Sequence, residues 1–378
     1  MRLFRTMRAD LIVHDESPSL VEIHKGVTTQ GIFNGATKSG VYDSECNLVA
    51  SSTRIRGTNE FVDREIDRTA LLNPYEDGRD TYFLGRGVNH YGHFVLETLS
   101  RAWAWQEHGK GLVPIIQAPM PRFARALYAL IPNLSEQIEL VKRPTRFHQI
   151  LVPGAAFIIA HKAHVTFKKL CDRMAGQTAA SREAMTEQPL YISRAGLGSV
   201  DRRTLEGEHS LEGFLESEGF LVVRPERLPI EEQIILFNRH RWIVSPMGSA
   251  CHTRLFSCRP TNLIMLTSSY FNPNYALCDL LCEGASHYVN VFARPDIGAG
   301  VRLPGFVEPV VLESDRLVTT LKEFGLVRAS ATFDQPPLDI IAYKQKWLEA
   351  ARSQLKRKGG SEQNLLRAID EIVASFNS

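Results

Sequence analysis

No apolar run in this 378-residue chain approaches the roughly 18 residues a membrane span requires. The longest candidate, Ile150 to Ala160, is short and broken by Pro153 and Gly154. The N-terminus, MRLFRTMRAD, lacks the apolar centre of a signal peptide. Cysteine is scarce: Cys46, Cys171, Cys251, Cys258, Cys278 and Cys282 form no CxxC pair and suggest no disulfide framework. Cys278 and Cys282 are four apart in a predicted helix, so one buried face accounts for both. Reduced thiols in a cytoplasmic protein are expected. Net charge is only +2, which excludes the global field that recruits nucleic acid. No GxxxxGK(S/T) occurs, excluding a P-loop, and no GxGxxG opens the first helix of either half.

What is present is enough for two domains, with 44% hydrophobic residues. From Pro189 to about Arg294, short β-branched runs alternate with segments of helical spacing. Leu190 to Ser193, Phe220 to Val223, Trp242 to Val244, Leu263 to Leu266 and Tyr288 to Phe292 are too short for helices and read as buried strands. Such alternation predicts a parallel sheet covered on both faces. Residues 81 to 155 repeat the pattern: TYFLGRG, LVPIIQA, QIELVK and QILVP as strands, with YGHFVLETLSRAWAWQEH as an amphipathic helix and PRFARALYALI as another. The first eighty residues carry turn signals (Asn34-Gly35, Ser39-Gly40, Asp43-Ser44, Arg56-Gly57) that predict antiparallel hairpins, GVYDSECNLVASS the clearest. Residues 156 to 187 read as mostly helical. After Arg294 the chain is Gly/Pro-rich, then VEPVVL is a short strand, and helices over Leu338 to Lys356 and Ser361 to Ser375 flank Gly359-Gly360.

The expected fold is therefore α/β, two Rossmann-like units facing a cleft. The divisions are 1–80, a β-rich N-terminal segment; 81–187, a Rossmann-like unit with bridging helices; 188–335, a nucleotide-binding unit; and 336–378, C-terminal helices. Ligands in such sheets sit beyond the carboxyl ends of the strands, and a cleft between two units favours them further. The first of the two C-terminal helices is basic (Lys344, Lys346, Arg352, Lys356, Arg357, Lys358). A solvated face is the plain reading, and contact with an anionic membrane surface the sharper one.

Two strand-to-helix loops carry chemistry. Arg194 ends a predicted strand and is followed by Gly196, Gly198, Arg202 and Arg203, which suits a phosphate or diphosphate. It could equally be an arginine in an ordinary surface loop. In PMGSACHT, Gly248 and Ser249 let a ligand approach the main chain, although tight strand–helix packing also needs small residues. Glu226 follows Pro225 at the end of another strand, where an acidic side chain often meets a ribose or base. In the other half, NHYGHFVLE places His93 and Glu97 four apart on one face, the arrangement of a carboxylate-oriented general base or of a buried pair that pins a helix. His90, His93 and Glu97 lack the HExxH spacing and a fourth ligand, so no metal is expected. No Asp-x-Asp occurs either; an enzyme acting on sugar nucleotides without one would need cationic side chains and helix dipoles on the diphosphate.

Three pieces, NHYGHFVLETLSRAWAW, PLYISR with its Arg-rich loop, and FLVVRPERLPIEEQIILF joined to WIVSPMGSACHTRLF, resemble glycosyltransferase family 61, which includes many capsular polysaccharide biosynthesis proteins. The resemblance spans about residues 81 to 295. It implies the two-Rossmann, GT-B type of fold and inverting transfer from a nucleotide sugar, a UDP-sugar foremost, to a glycan or lipid-linked glycan acceptor, with no cofactor. Carried across, Arg194 contacts the diphosphate and Gly248 and Ser249 line the donor site. Asn89, His93 and Glu97 face the cleft from the acceptor half. Met247 stands where many relatives have His, and Arg254 where many have Asn; His252 is the candidate to replace the missing imidazole. These departures motivate a rival reading, a nucleotide-sugar or glycan-binding protein without catalysis.

Overall fold

The computed structural model describes residues 2–5, 10–29, 32–33, 36–37, 40–58, 60–61, 68–179, 184–197, 205–268, 271–295, 309–357 and 363–374. Two parallel sheets dominate. In the N-terminal one, β1 (Tyr75–Arg86), β2 (Val113–Gln117), β3 (Glu139–Val141) and β4 (Thr145–Pro153) lie in the order β3-β2-β1-β4, all parallel. Leu20–His24 and Val27–Thr28 then add antiparallel on β4. In the C-terminal one, β5 (Leu190–Ile192), β6 (Leu221–Val223), β7 (Trp242–Pro246), β8 (Asn262–Thr267) and β9 (Ser286–Asn290) lie in the order β6-β5-β7-β8-β9. Both are doubly wound orders, and each reverses direction at its first strand, between β1 and β4 and between β5 and β7.

The central C-terminal strands β5, β7 and β8 are largely apolar runs because both faces are covered, while the edge strands β6 and β9 are less buried. Tyr191, Val244, Ile264 and Leu266 pack against Leu211 and Leu215 of α3 (Glu208–Ser217) and Leu317 and Leu321 of α6 (Ser314–Glu323). Leu190, Ile192, Ile243, Leu263 and Met265 face Phe237 of α4 (Ile230–Arg239), Cys251, and Tyr275 of α5 (Pro273–Leu281). Each such aliphatic side chain contributes about 1.5–3 kcal/mol on burial. Helix α6 was not anticipated.

The expected amphipathic helix over YGHFVLETLSRAWAWQEH is instead a helical path of changing pitch. It opens with one α turn at Tyr91–His93, passes through a π turn at Phe94–Thr98 and a 3-10 stretch at Leu99–Ala104, and closes at Trp105–His108. From Phe94 to Trp105 every residue is buried. The reason is its position. Phe94, Val95, Leu99 and Trp103 share one core with Phe167 and Leu170 of α2 (Val165–Gly176) and with Leu255, Phe256 and Leu277 from the C-terminal half. The residues that looked like a polar face are satisfied internally. Arg101, 1% exposed, donates from Nη1 to the carbonyls of Ser51 (2.6 Å) and Pro153 (2.7 Å) and from Nη2 to that of Thr53 (2.6 Å).

At the N-terminus Arg2–Arg5 pairs antiparallel with Asp10–His14, Ile32–Phe33 with Ala36–Thr37, and Ile55–Arg56 with Glu60–Phe61. The GVYDSECNLVASS hairpin is reduced to one bridge, Tyr42 to Leu48. Asp43 Oδ1 accepts from the amides of Glu45 and Asn47 and closes the turn, while Val41–Tyr42 pairs with Val27–Thr28 instead. Residues 156–187 are only partly helical: a short hairpin, Phe157–Ile158 with Lys162–His164, precedes α2. Its turn carries Ala160 at φ +58 and is pinned by the Ala160 amide donating to Asn274 Oδ1 (2.8 Å). At the other end α7 (Ile340–Arg357) and α8 (Gln363–Ala374) pack through Trp347, Leu355, Leu365 and Ile372. Among the described residues no helix is long and apolar enough to cross a membrane.

Candidate active site

Arg194 lies just past the carboxyl end of β5, beside the switch point with β7. Its main-chain amide donates to Glu208 Oε1 (2.7 Å), which also accepts from the Tyr191 hydroxyl (3.0 Å). Glu208, 5% exposed at the start of α3, thus pins the loop, and burial pushes its carboxyl above the ordinary range. The Arg194 guanidinium crosses to the β7 loop, where Nη1 donates to the Met247 carbonyl (3.2 Å). A Cβ on Gly248 would sit 3.3 Å from that nitrogen, so the glycine lets the guanidinium lie close over main chain. A side chain at Gly196 would collide with the Glu226 carboxylate, which places Glu226 against the same loop. Gly198, Arg202 and Arg203 lie outside the described residues.

The N-terminal half contributes the loop leaving β1. Asn89 and His90 are exposed there, and His90 Nδ1 accepts from the His93 amide (3.3 Å). The His90 and His93 rings stand 4.7 Å apart. His93 Nδ1 lies 3.0 Å from Glu97 Oε2. Glu97, 4% exposed, also receives Arg56 through Nε to Oε1 (2.8 Å) and Nη2 to Oε2 (3.0 Å). Burial alone would raise this carboxyl; the hydrogen bonds from His93 and Arg56 outweigh it and hold the group at about 2. Nothing in the local sequence pattern marked Arg56, which reads as part of a turn with Gly57.

The two halves meet at Gly92. A Cβ there would lie 2.8 Å from His252 Cδ2 and 3.3 Å from Ser249 Cβ, so only glycine permits the approach. Beside it, the hydroxyls of Tyr91 and Thr253 are 2.9 Å apart. His252 is 5% exposed and stacks on Tyr275 at 4.7 Å. Burial, with smaller effects from His93 and His90, pulls its imidazole down to about 3, so it is neutral at physiological pH.

One contiguous line therefore runs from Arg194 through Gly248, Ser249 and His252 to Gly92, His93 and Glu97. Arg254 is not part of it. That side chain, 1% exposed, donates to Ser286 Oγ (2.9 Å), holds the Glu283 and Ala285 carbonyls, and lies 3.4 Å from Asp279. Among the described residues no group of three or more His, Cys, Asp or Glu is arranged to hold a metal ion. The arrangement brings a guanidinium onto the half-buried main chain at Gly248 and, across the seam, a carboxylate-bound imidazole.

No curated protein matches the chain. Among solved structures, the bacterial iron-containing dodecameric glycosyltransferase TibC from enterotoxigenic E. coli H10407 aligns over 75% of this chain and 82% of its own, at 12% identity and a TM-score of 0.31. That likeness is too distant to carry an argument. Residues 91–265, from the seam tyrosine to the fourth strand of the C-terminal sheet, match the family described as Glycosyltransferase 61.

Proposed function

We propose that the chain transfers a sugar with inversion, and without a metal, from a nucleotide donor to an acceptor hydroxyl in surface polysaccharide synthesis. The observation that carries this is the convergence at the seam: Arg194 lies over Gly248 at the switch point of one sheet, while Gly92, beside His93, packs on His252 and Ser249. In this reading the chain is of the GT-B type. Residues 81–187, with the β-rich segment 1–80, hold the acceptor; 188–335 hold the donor; and 336–378 are an appended helical unit.

The donor diphosphate lies against Arg194 and the main chain at Gly248 and Ser249, with Glu226 toward the ribose or base and Asn89 at the rim. The acceptor hydroxyl approaches from the His93 side. With Nδ1 bonded to Glu97, His93 presents the Nε2 lone pair, which takes the hydroxyl proton as the oxygen bonds to the anomeric carbon. The opposite bond, from that carbon to the diphosphate oxygen, breaks, and the nucleoside diphosphate leaves with the electron pair, stabilised by Arg194. Metal independence is supported by the lack of Asp-x-Asp and by a cation already at the switch point. Uridine as the base and a lipid-linked glycan as acceptor rest on the family resemblance, and a cytoplasmic setting on the unpaired cysteine pattern.

Thermal shift against nucleoside diphosphates and nucleotide sugars, with and without chelator, tests the donor site, because ligands of the native state raise the midpoint. A chelator-insensitive rise with one nucleotide class, lost in Arg194→Ala, is expected. His93→Ala should lower kcat by about 10²–10⁴ while leaving donor affinity in place. Wild-type rates and affinities in both variants would refute the assigned roles.

A further inference from the structure

The buried carboxylate of Glu97 serves two partners, and only one of them, His93, lies within the family-matched stretch. The other, Arg56, comes from a strand 41 residues earlier in the chain. It is no loose surface arginine. Its main chain bridges to Ile159, and the next amide, Gly57, donates to the Ile159 carbonyl (2.8 Å), so the guanidinium is delivered from a fixed base. From there it grips both Glu97 oxygens, and its Nη2 also stands 3.2 Å from His93 Nδ1.

His93 Nδ1 therefore faces an acceptor and a donor at nearly equal distance, 3.0 Å to Glu97 and 3.2 Å to Arg56. A ring nitrogen cannot answer both. With a proton it donates to the carboxylate; with a lone pair it accepts from the guanidinium. Among the described residues, the titratable and charged groups against His93 are Arg56, Glu97, His90 on its own segment, and His252 across the seam, which burial keeps neutral. Of these four, Arg56 and Glu97 carry fixed charge at neutral pH.

We infer that Arg56 is a positioning residue which, by neutralising Glu97 beside the ring, sets how readily His93 gives up a proton. A histidine paired with a lone buried carboxylate would hold its proton, since an opposite charge within about 4–6 Å favours the charged form. The Arg56 guanidinium, bonded to both Glu97 oxygens, offsets that charge. The ring can then take the acceptor's proton during transfer and release it afterwards. This inference rests on the base role proposed for His93, so its test must not depend on activity alone.

The experiment is a pH titration of the His93 imidazole nitrogens by NMR in histidine-labelled protein, assigned with His93→Gln. Arg56→Met should raise the midpoint by about one to three pH units, and Arg56→Lys, which keeps the charge, should leave it close to wild type. The acid limb of the pH–rate profile should move upward with it. Should Arg56→Met fail to fold, Arg56→Gln, which keeps a polar side chain beside Glu97 and removes the charge, is the second variant and should raise the midpoint as well. An unchanged midpoint on losing Arg56, or an equal rise in Arg56→Lys, overturns the inference. If His93→Ala keeps wild-type rates, the base role falls, and the nitrogen titration still decides what Arg56 does.

Discussion

Replacing Glu97 by Gln removes a charge that the fold holds in an unusually acidic state, and the consequence for stability can be worked through. Between its ordinary value of 4.5 and about 2 in the fold lies roughly 3 kcal/mol of preference for the ionised form. The folded carboxyl binds its proton more weakly than the unfolded one. Its contribution is therefore fully present above about pH 4.5 and is lost as pH falls towards 2. The variant has no such ionisation, and at neutral pH it also leaves the Arg56 guanidinium without its carboxylate. Urea denaturation of both proteins from pH 7 down to the acid limit of the folded state should show the wild type ahead by about 3 kcal/mol at neutral pH. That advantage should shrink steadily below pH 4.5 as Glu97 protonates. Taking the difference cancels the other carboxylates, which titrate alike in both. A difference that stays constant across this window would show that the pair carries no such linkage.

The other predictions concern the seam, the buried arginine and the C-terminal helices. Gly92→Ala puts a methyl 2.8 Å from a buried ring carbon of His252, so it should cost about 1–3 kcal/mol and lower kcat, with donor affinity measured by calorimetry nearly unchanged. Unaltered kinetics there would mean that the close approach of the halves does not matter to transfer. Arg254→Leu strips Asp279 of its buried partner and should destabilise by about 3–5 kcal/mol, read by urea denaturation, yet nucleotide affinity should persist at permissive temperature. On the first C-terminal helix Lys346 is engaged with Glu206 (2.8 Å), while Arg352 and Lys356 are exposed. If this face meets anionic lipid as the sequence suggests, flotation with phosphatidylserine vesicles should fall in Arg352→Gln/Lys356→Gln and with added salt; equal flotation leaves only a solvated face.

How legible each element was depended on whether its partners lay nearby in sequence. Four strands of the C-terminal sheet could be read because parallel strands covered on both faces are short unbroken apolar runs, whereas the fifth, Ser286–Asn290, is a half-buried edge strand of mixed polarity that begins before the expected run from Tyr288 to Phe292 and ends short of it. The segment from Tyr91 to His108 misled for the opposite reason. Thr98, Ser100 and Arg101 look like a solvent face in any 3.6-residue pattern. In the structure Thr98 donates to the Arg86 carbonyl, Ser100 to that of Leu96, and Arg101 to main chain from two distant segments. Periodicity reports polarity, not where a partner comes from. For the same reason His93 and Glu97 could be paired by spacing, whereas Arg56 could not be found: its meaning comes from a bridge to Ile159 and from Glu97, both far along the chain.

The departures within the PMGSACHTRLF loop show the converse, a sequence difference that looks chemical and is structural. Met247 and Arg254 suggested a protein that kept the fold and lost the reaction. Yet Met247 meets Arg194 through its carbonyl, a group that any residue supplies, and its side chain packs against the apolar layer under β5 and β7. Arg254 points away from the seam and spends its donors on the carbonyls after α5 and on Ser286. Arg254 therefore lies off the line between Arg194 and His93, whereas Met247 joins it through main chain alone. What the loop does bring to the seam is His252, stacked, buried and neutral, against which only a glycine at position 92 fits. The fit of this loop on the N-terminal half is thus one of shape, because His252 and Ser249 leave no room for a side chain at Gly92.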